Sequence, residues 1–397
     1  MLYYIKNKNN MIQNNKSINN FDENFYLTNY PVVSEYMAEI NSLSLKEKLY
    51  NHYINYGAKL GCYANEYDAA NLSPDYKIIS DLTITTDNCS ILLETPKAQW
   101  QYPANTEKHY FNNHNNSLLK STDNWYIGFP WASLINSNMS FDINVIQELK
   151  TFLSKLNGRK HTVCQHIWWK RLAYLWEAIG LTDVHLSHYE KNIYNTNNLT
   201  FHSWPITSAN LENSGRSTGL NFKYYDNKKY LASFIGSYEN YNYRNDTRLK
   251  LQQVFSNIDK IYFKLYDSWF YHDVVNRNQI NKEILDTKII DDFDQKTIQY
   301  NEVLSDSVFS LCPEGSGPNT IRLWESMSVG TIPVIYSDDW IPPTQYQAAL
   351  EKCCVFISRT EIDKTIKILS SYDKSVIQNM QIDCINTYKD IKNMTCF

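Results

Sequence analysis

The stretch that most constrains this chain runs from residue 307 to 340, SVFSLCPEGSGPNTIRLWESMSVGTIPVIYSDDW. An apolar, β-rich run ends at Cys312-Pro313, and Gly315, Ser316 and Gly317 then permit tight backbone turns. Pro318 and Asn319 lead into a segment with apolar residues at Ile321, Trp324 and Met327, the spacing of a helix face. Gly330 stops that helix, and a second buried run at 332–336 ends at Ser337-Asp338-Asp339. Strand, glycine-rich loop, helix, strand places the loop at the C-terminal edge of a sheet, where doubly wound α/β folds bind ligands. The helix start offers free N–H groups and a positive dipole end to a diphosphate. Asn319 or Thr320 caps that helix or touches phosphate. Arg322 and Glu325, three apart, share one helix face; from it a cation reaches phosphate and a carboxylate reaches ribose hydroxyls, although a solvated surface pair has the same spacing. The loop is not a Walker loop, since no GK[ST] follows, and it is not GxGxxG, since Thr320 stands at the third glycine.

The same alternation extends outward. Strands are expected at 91–94, 125–129, 162–165 and 183–187, with helices at 145–156 and 168–179. A second set has strands at 230–235, 260–263, 307–311, 332–336 and 354–357, with helices at 244–255, 297–304, 319–329 and 361–370. Two alternating blocks mean two open, mostly parallel sheets. A polar link near 195–219 carries Pro205, Ser214-Gly215 and Gly219, and a last helix at 374–391 packs back across the first block. The 397 residues exceed one ordinary core. The expected division is a disordered Asn/Lys-rich leader at 1–20, a small helical module at 21–68, a first Rossmann-like domain at 69–210, a second at 211–371, and the closing helix in 372–397. In the helical module Phe25, Tyr26, Tyr30, Leu49, Tyr53 and Ile54 recur at helical spacing, and Gly57 and Gly61 read as helix ends.

Composition excludes some classes. The formal charge is −4 with no basic block, which gives no support for nucleic-acid binding. No apolar run approaches ~18 residues and the N-terminus has no signal-like apolar core, so the expectation is a cytoplasmic protein with no membrane span. Peripheral membrane contact and oligomeric state stay open. The eight cysteines contain no CxxC and read as reduced thiols. Arginine is scarce: Arg159, Arg171, Arg216, Arg244, Arg248, Arg277, Arg322 and Arg359 are the full set. As the planar, always-charged phosphate clamp, each is a place to look for a site.

The 307–340 segment resembles the signature of exostosin-like glycosyltransferases, roughly F-x-L-C-P-x-G-x-G-x-x-S-x-R-x-W-E-A-x-x-x-G-x-I-P-V-I-x-S-D. Upstream, YLASFIGSYENYNYRNDTRLKL resembles that family's F-x-G-x…R-x-x-L segment through Phe234, Gly236, Arg244 and Arg248, and TVCQHIWWKRL…IGLTDVHLSH resembles bacterial members. The helical module resembles one attached to bacterial glycosyltransferases, with Val32-Val33 and Cys62 departing from its pattern. The resemblance implies an α/β GT-B architecture, two Rossmann-like domains with a cleft between them and the donor held mainly by the second. It also implies inverting transfer from a nucleotide sugar, UDP-linked first, to a glycan acceptor in surface polysaccharide or related synthesis, with no cofactor or obligatory metal. Glu325 is then expected on the ribose. The diphosphate is expected on Arg322 and the loop from Pro313 through Glu314, Gly315, Ser316, Gly317, Pro318 and Asn319 to Thr320. Gly236 and Ser237 line the donor site, and Arg244 or Arg248 neutralises the leaving group. Many relatives carry Arg where this chain has Glu314, so Glu314 is expected to face the sugar or solvent.

Inverting transfer needs a base for the acceptor hydroxyl and cationic groups for the departing diphosphate. Base candidates at strand ends of the first block are Glu94, His166 and His188; a structural histidine bonded to backbone is the competing reading. Asp338 and Asp339 stand at the cleft edge of the second block, or cap the following loop. Asp292-Phe293-Asp294 has the form of a metal-binding DxD, or caps a following helix. Two other functions remain open: a fucosyltransferase-like GT-B enzyme using a GDP-sugar, and a catalytically silent glycan-binding or scaffolding partner with the same fold.

Overall fold

A computed structural model describes residues 18–29, 44–53, 77–87, 89–116, 123–191, 193, 195–196, 198–238, 243–256 and 258–394. Residues 1–17 of the expected leader, much of the helical module and its residues Tyr30, Val32, Val33, Ile54, Gly57, Gly61 and Cys62 lie outside them, while Ile18–Asn20, expected as disordered leader, form a 3-10 turn. By contacts the described residues group into two units. One takes those within 1–81, 137–154 and 168–180, and the other those within 82–136, 155–167 and 181–397.

In the first unit, helices Glu23–Asn29 and Leu45–His52 close a small aromatic core of Phe21, Tyr26 and Tyr53 with Leu49. The second helix opens on a capping box, Ser44 with Glu47. Strands β1 (Lys77–Ile79) and β5 (Met139–Phe141) pair in parallel, and helix Ile143–Ser154 packs on helix Ala173–Ile179.

The second unit holds both large sheets. The first has the order β2-β3-β4-β6-β7-β8, formed by Thr83–Asp87, Ser90–Glu94, Asn124–Gly128, Arg159–Cys164, Asp183–Leu186 and Thr200–Ser203. Only the β2–β3 pair is antiparallel. The second has the order β10-β9-β11-β12-β13, formed by Ile261–Tyr266, Tyr230–Ser237, Ser307–Pro313, Ile332–Tyr336 and Val355–Phe356, and is parallel throughout. Its central strands β11 and β12 are buried at every residue, the continuous apolar run that a strand covered on both faces requires. Phe309, Trp324, Tyr336 and Phe234 are the large side chains of its core. These are the two open, mostly parallel, Rossmann-like sheets that the alternation in the sequence predicts.

Several elements differ from expectation. The link near 195–219 is not coil throughout: it supplies β8 and the short helix Ala209–Glu212. Phe201 is buried in β8 between half-buried Thr200 and His202, an alternation too short to stand out among polar neighbours. The helix expected at 297–304 begins at Thr287, capped by Asp286. Asp292 and Asp294 therefore lie inside a helix and cap nothing. Asp292 pairs with Lys296 at 2.6 Å and Asp294 lies 3.7 Å from Arg216. Two residues apart on a helix, they do not face a common point. Helix Lys374–Lys392 packs along helices Ile321–Ser328 and Gln347–Cys353 of the second sheet. Its last turn also meets helix Thr106–Asn116, where Asn113 Nδ2 donates to the Lys392 carbonyl at 3.3 Å.

Candidate active site

In the second sheet the chain moves outward from β9 in both directions, to β10 on one side and to β11, β12 and β13 on the other. The crevice at such a switch point, beyond the C-terminal strand ends, is where open α/β sheets take ligands. Here it opens early. The β9–β11 ladder runs only to the pair Ser310 with Ser233, whereas β9 continues beside β10 to Ser237 and β11 beside β12 to Pro313. Beyond that split, strand carbonyls facing the gap need other donors.

Two buried arginines supply them. Arg322, in the first turn of helix Ile321–Ser328, donates from Nη1 to the Leu311 carbonyl at 3.4 Å and from Nη2 to the Ile235 carbonyl, with its guanidinium 4.3 Å from the Phe234 ring centre. Arg248, on helix Thr247–Phe255, donates from Nη1 to the Ser237 carbonyl at 2.7 Å and from Nε to the Glu314 carbonyl at 3.2 Å. Its guanidinium stacks 4.4 Å from Tyr243, whose hydroxyl meets Ser237 Oγ at 2.6 Å, and burial lowers its pKa to about 10. Both arginines thus staple β9 to β11. The close approach explains two glycines. A Cβ on Gly236 would fall 2.7 Å from Phe234 and 3.2 Å from Arg322, and one on Gly315 would fall 3.0 Å from Arg248.

Two half-buried arginines sit among carboxylates further along the edge. Arg244 reaches Glu190 at 2.6 Å, Glu314 at 3.3 Å and Asp339 at 3.6 Å, and its backbone N–H donates to the Gly315 carbonyl at 3.1 Å. Arg359, just past β13, reaches Glu314 at 2.8 Å, Asp338 at 3.0 Å and Asp339 at 3.3 Å. Asp338 also accepts the Arg359 backbone N–H, and Asn245 donates to Glu314. Burial raises the Glu314 pKa, while Asn245, Arg359 and Arg244 pull it down. Glu314 therefore does not face solvent; it is 2% exposed and the anchor of this cluster.

Glu325 is buried as well. Its Oε1 accepts from Ser208 Oγ and its Oε2 from Tyr300 OH at 2.6 Å, and burial raises its pKa. The Arg322/Glu325 spacing is therefore not a solvated surface pair. The helix starts at Thr320 without a side-chain cap. Asn319 instead donates to the Ser187 carbonyl at 2.8 Å and accepts from Trp324 Nε1 at 3.1 Å, which ties the loop to the first sheet. Pro318 is buried, and Ser316 is exposed.

The base candidates separate. His188, two residues past β7, is half-buried with its Nδ1 turned against the loop: a Cβ on Gly317 would fall 2.4 Å from that nitrogen. That nitrogen has no hydrogen-bond partner among the described residues. Burial, then the nearby Arg244, lower its pKa to about 4, so the ring is the free base at neutral pH. His166 is buried with Nε2 at 2.7 Å from Asn136 Oδ1. Glu94 is exposed at the end of β3, three strand spacings from β7, or about 14 Å, and is not brought to the loop. Arg359, Glu190, Asn245, Ser208 and Tyr300 were not expected here. Only Arg359 carried a signal, as one of eight arginines.

An exostosin GT47 domain model matches residues 133–372, more than half of the chain. This chain belongs to the exostosin GT47 family. Among curated relatives, a probable glucuronosyltransferase of Oryza sativa subsp. japonica is 38% identical over 82 residues, 21% of this chain and 20% of that protein. A probable beta-1,4-xylosyltransferase of Arabidopsis thaliana is 34% identical over 82 residues, with the same shares. The exostosin-1 homolog of Caenorhabditis elegans is 23% identical over 164 residues, 41% of this chain and 40% of that protein. The match thus spans about a fifth of the two plant proteins' length and two fifths of the nematode's.

Proposed function

We propose that this chain is a glycosyltransferase that moves a sugar from a nucleotide-sugar donor, UDP-linked in the first instance, to a hydroxyl of a glycan acceptor. The transfer inverts the anomeric centre and requires no metal. Residues 69–210 serve the acceptor and 211–371 the donor, in a cytoplasmic setting. The observation that carries this reading is the contact between His188 and Gly317, which joins a neutral imidazole of the first sheet to the loop of the second. In the reaction His188 takes the proton of the acceptor hydroxyl as that oxygen bonds to the anomeric carbon and the bond from that carbon to the diphosphate breaks. The leaving diphosphate is stabilised by the loop N–H groups and by Arg244, whose carboxylate partners are exchangeable. Arg244 withdrawn toward phosphate would no longer depress the His188 pKa, making the imidazole a stronger base when the donor is bound. Asp338 and Asp339, the half-exposed carboxylates of the cluster, accept from hydroxyls of the transferred sugar.

The test is transfer from UDP-sugars to oligosaccharide acceptors, with and without EDTA. His188→Asn should lower kcat by roughly 10²–10⁴-fold with UDP affinity unchanged. A wild-type kcat matched by His188→Asn rules out this base, and transfer only from GDP-sugars moves the donor to guanine. One observation favours a second reading. Both Glu325 oxygens are already bonded inside the protein, as in a chain whose donor site is filled by its own side chains. Nucleotide binding without turnover by any donor would support such a silent glycan-binding partner.

A further inference from the structure

Three carboxylates hold Arg244, and they are not equivalent. Glu190 is the nearest, with Oε2 2.6 Å from Nη1, while Glu314 and Asp339 stand at 3.3 and 3.6 Å. Glu314 and Asp339 are shared with a second arginine, Arg359, at 2.8 and 3.3 Å. Glu190 comes from the first sheet, in the segment that leaves β7, two residues past His188. Its backbone is nevertheless fastened to the second sheet. Glu190 forms an antiparallel bridge with buried Trp340, the Lys191 N–H donates to the Asp339 carbonyl at 2.8 Å, and the Ile341 N–H donates to the Tyr189 carbonyl at 3.3 Å. Arg244 is anchored too, since its own N–H donates to the Gly315 carbonyl at 3.1 Å. With both backbones held, the Glu190–Arg244 contact is made and broken by side-chain motion alone.

The two charges act on His188 in opposite directions. Arg244 disfavours the imidazolium and Glu190 favours it. While they are paired their effects on the ring offset one another, and removing either unbalances it. The other charged groups at this edge are committed elsewhere or turned to solvent. Glu314, Asp338 and Asp339 pair with Arg359, Arg248 is bonded to strand carbonyls, and Lys191 is exposed. Tyr189, between the histidine and the glutamate, stays neutral, because partial burial raises its pKa.

We propose that Glu190 is a positioning residue of the transfer reaction: it parks Arg244 beside the crevice and, once the donor diphosphate draws Arg244 away, stays behind as the carboxylate partner of His188. The inference rests on the readings of His188 and Arg244 above and adds the residue that couples them. The acceptor proton then moves to an imidazole whose charged form faces a carboxylate no longer matched by Arg244. The acceptor oxygen bonds to the anomeric carbon, and the diphosphate leaves with the electron pair of the broken bond, met by Arg244. An acceptor arriving before the donor meets a weaker base, so the coupling makes proton removal wait for the donor.

Calorimetry and pH–rate profiles on the full chain test this, with UDP and inorganic pyrophosphate as binding probes. In Glu190→Gln both probes should bind roughly 2–5-fold tighter, because Arg244 no longer has to leave that carboxylate. Its kcat should fall roughly 10-fold, with the acid limb of the kcat profile moved down by about one pH unit. Tighter binding with slower turnover is a pattern that a merely structural loss does not give. Arg244→Gln reads the coupling from the other side: followed by NMR in the free protein, the His188 titration should rise from its value of about 4. In that background Glu190→Gln should no longer tighten UDP binding. Weaker binding in Glu190→Gln, tightening that persists without Arg244, an unmoved kcat profile, or an unmoved His188 titration in Arg244→Gln each overturns the role of Glu190. A wild-type kcat in His188→Asn instead removes the base reading beneath it.

Discussion

The four arginines at the edge of the second sheet form two pairs that differ in what they hold. Arg248 and Arg322 are nearly buried and bond backbone carbonyls on both sides of the β9–β11 split; among the described residues neither has a carboxylate within ion-pair distance. Arg244 and Arg359 are about 30% exposed and sit among Glu190, Glu314, Asp338 and Asp339. A buried guanidinium bonded to carbonyls cannot turn to a ligand without orphaning strand acceptors. One paired with half-exposed carboxylates, as Asp338 and Asp339 are, exchanges those partners at little cost, because such pairs contribute ~1 kcal/mol or less, while buried Glu314 keeps Asn245 as a donor. The inner pair therefore builds the crevice, and the outer pair is the one free to meet a diphosphate.

The sharpest way to break this comparison is Arg322→Ala, which should destabilise the fold by about 3–5 kcal/mol in urea unfolding, since two buried carbonyls lose their donor. Arg322→Lys should recover less than half, because an ammonium lacks the fork that spans two strands. An Arg322→Ala protein as stable as wild type would move Arg322 to the ligand-binding pair. Next comes Gly317→Ala. Its methyl would sit 2.4 Å from His188 Nδ1 and 2.7 Å from Ile167, so a stability loss of about 1–3 kcal/mol should accompany a lower kcat.

Arg359→Ala tests the outer pair. Its stability should fall by about 1–3 kcal/mol, because buried Glu314 keeps Asn245 and Arg244 but loses one charged partner, while donor KM rises roughly 10-fold. The reverse pattern, a large stability loss with unchanged KM, would make Arg359 a staple like Arg322. A pH-dependent prediction concerns an acid of the first sheet. Glu107, wholly buried beside the first sheet, accepts the Gln165 and Ala132 N–H groups, and burial raises its pKa from 4.5 to about 8. A carboxyl raised on folding contributes stability that is full below pH 4.5 and lost as pH rises through about 8. Wild type should therefore lose stability across that window relative to Glu107→Gln, and parallel pH profiles would contradict the shift.

Much of the fold is legible in the chain. β11 and β12 are uniformly apolar runs bounded by turn residues, and their spacing around a helical stretch admits a parallel crossover. β1, β2, β5 and β8 are not legible, because they are short or mostly polar and are held by their neighbours' ladders; β2, for example, is largely exposed and pairs antiparallel with β3. The helix around Asp292-Phe293-Asp294 is hidden for the opposite reason, since two aspartates in sequence read as a cap or a metal motif unless the preceding Asp286 is seen to cap.

For the site, the residue pattern alone points to the glycine-rich loop and to Arg322, and offers His188 as one of three candidate bases; Arg244 and Arg248 stand out from the eight arginines only through the family resemblance. Backbone hydrogen bonding and helix spacing are local, so a glycine-rich turn between a buried strand and a helix can be read from neighbours in sequence. What each side chain holds is decided only by tertiary structure. Whether Arg322 meets phosphate or carbonyl depends on where the β9–β11 ladder ends, at Ser233 and Ser310, far apart in sequence. Whether Glu314 repels a ligand or anchors a cluster depends on Arg359, 45 residues away. Partner choice follows from distance and burial, and those arise only when strands distant in sequence are brought to one edge.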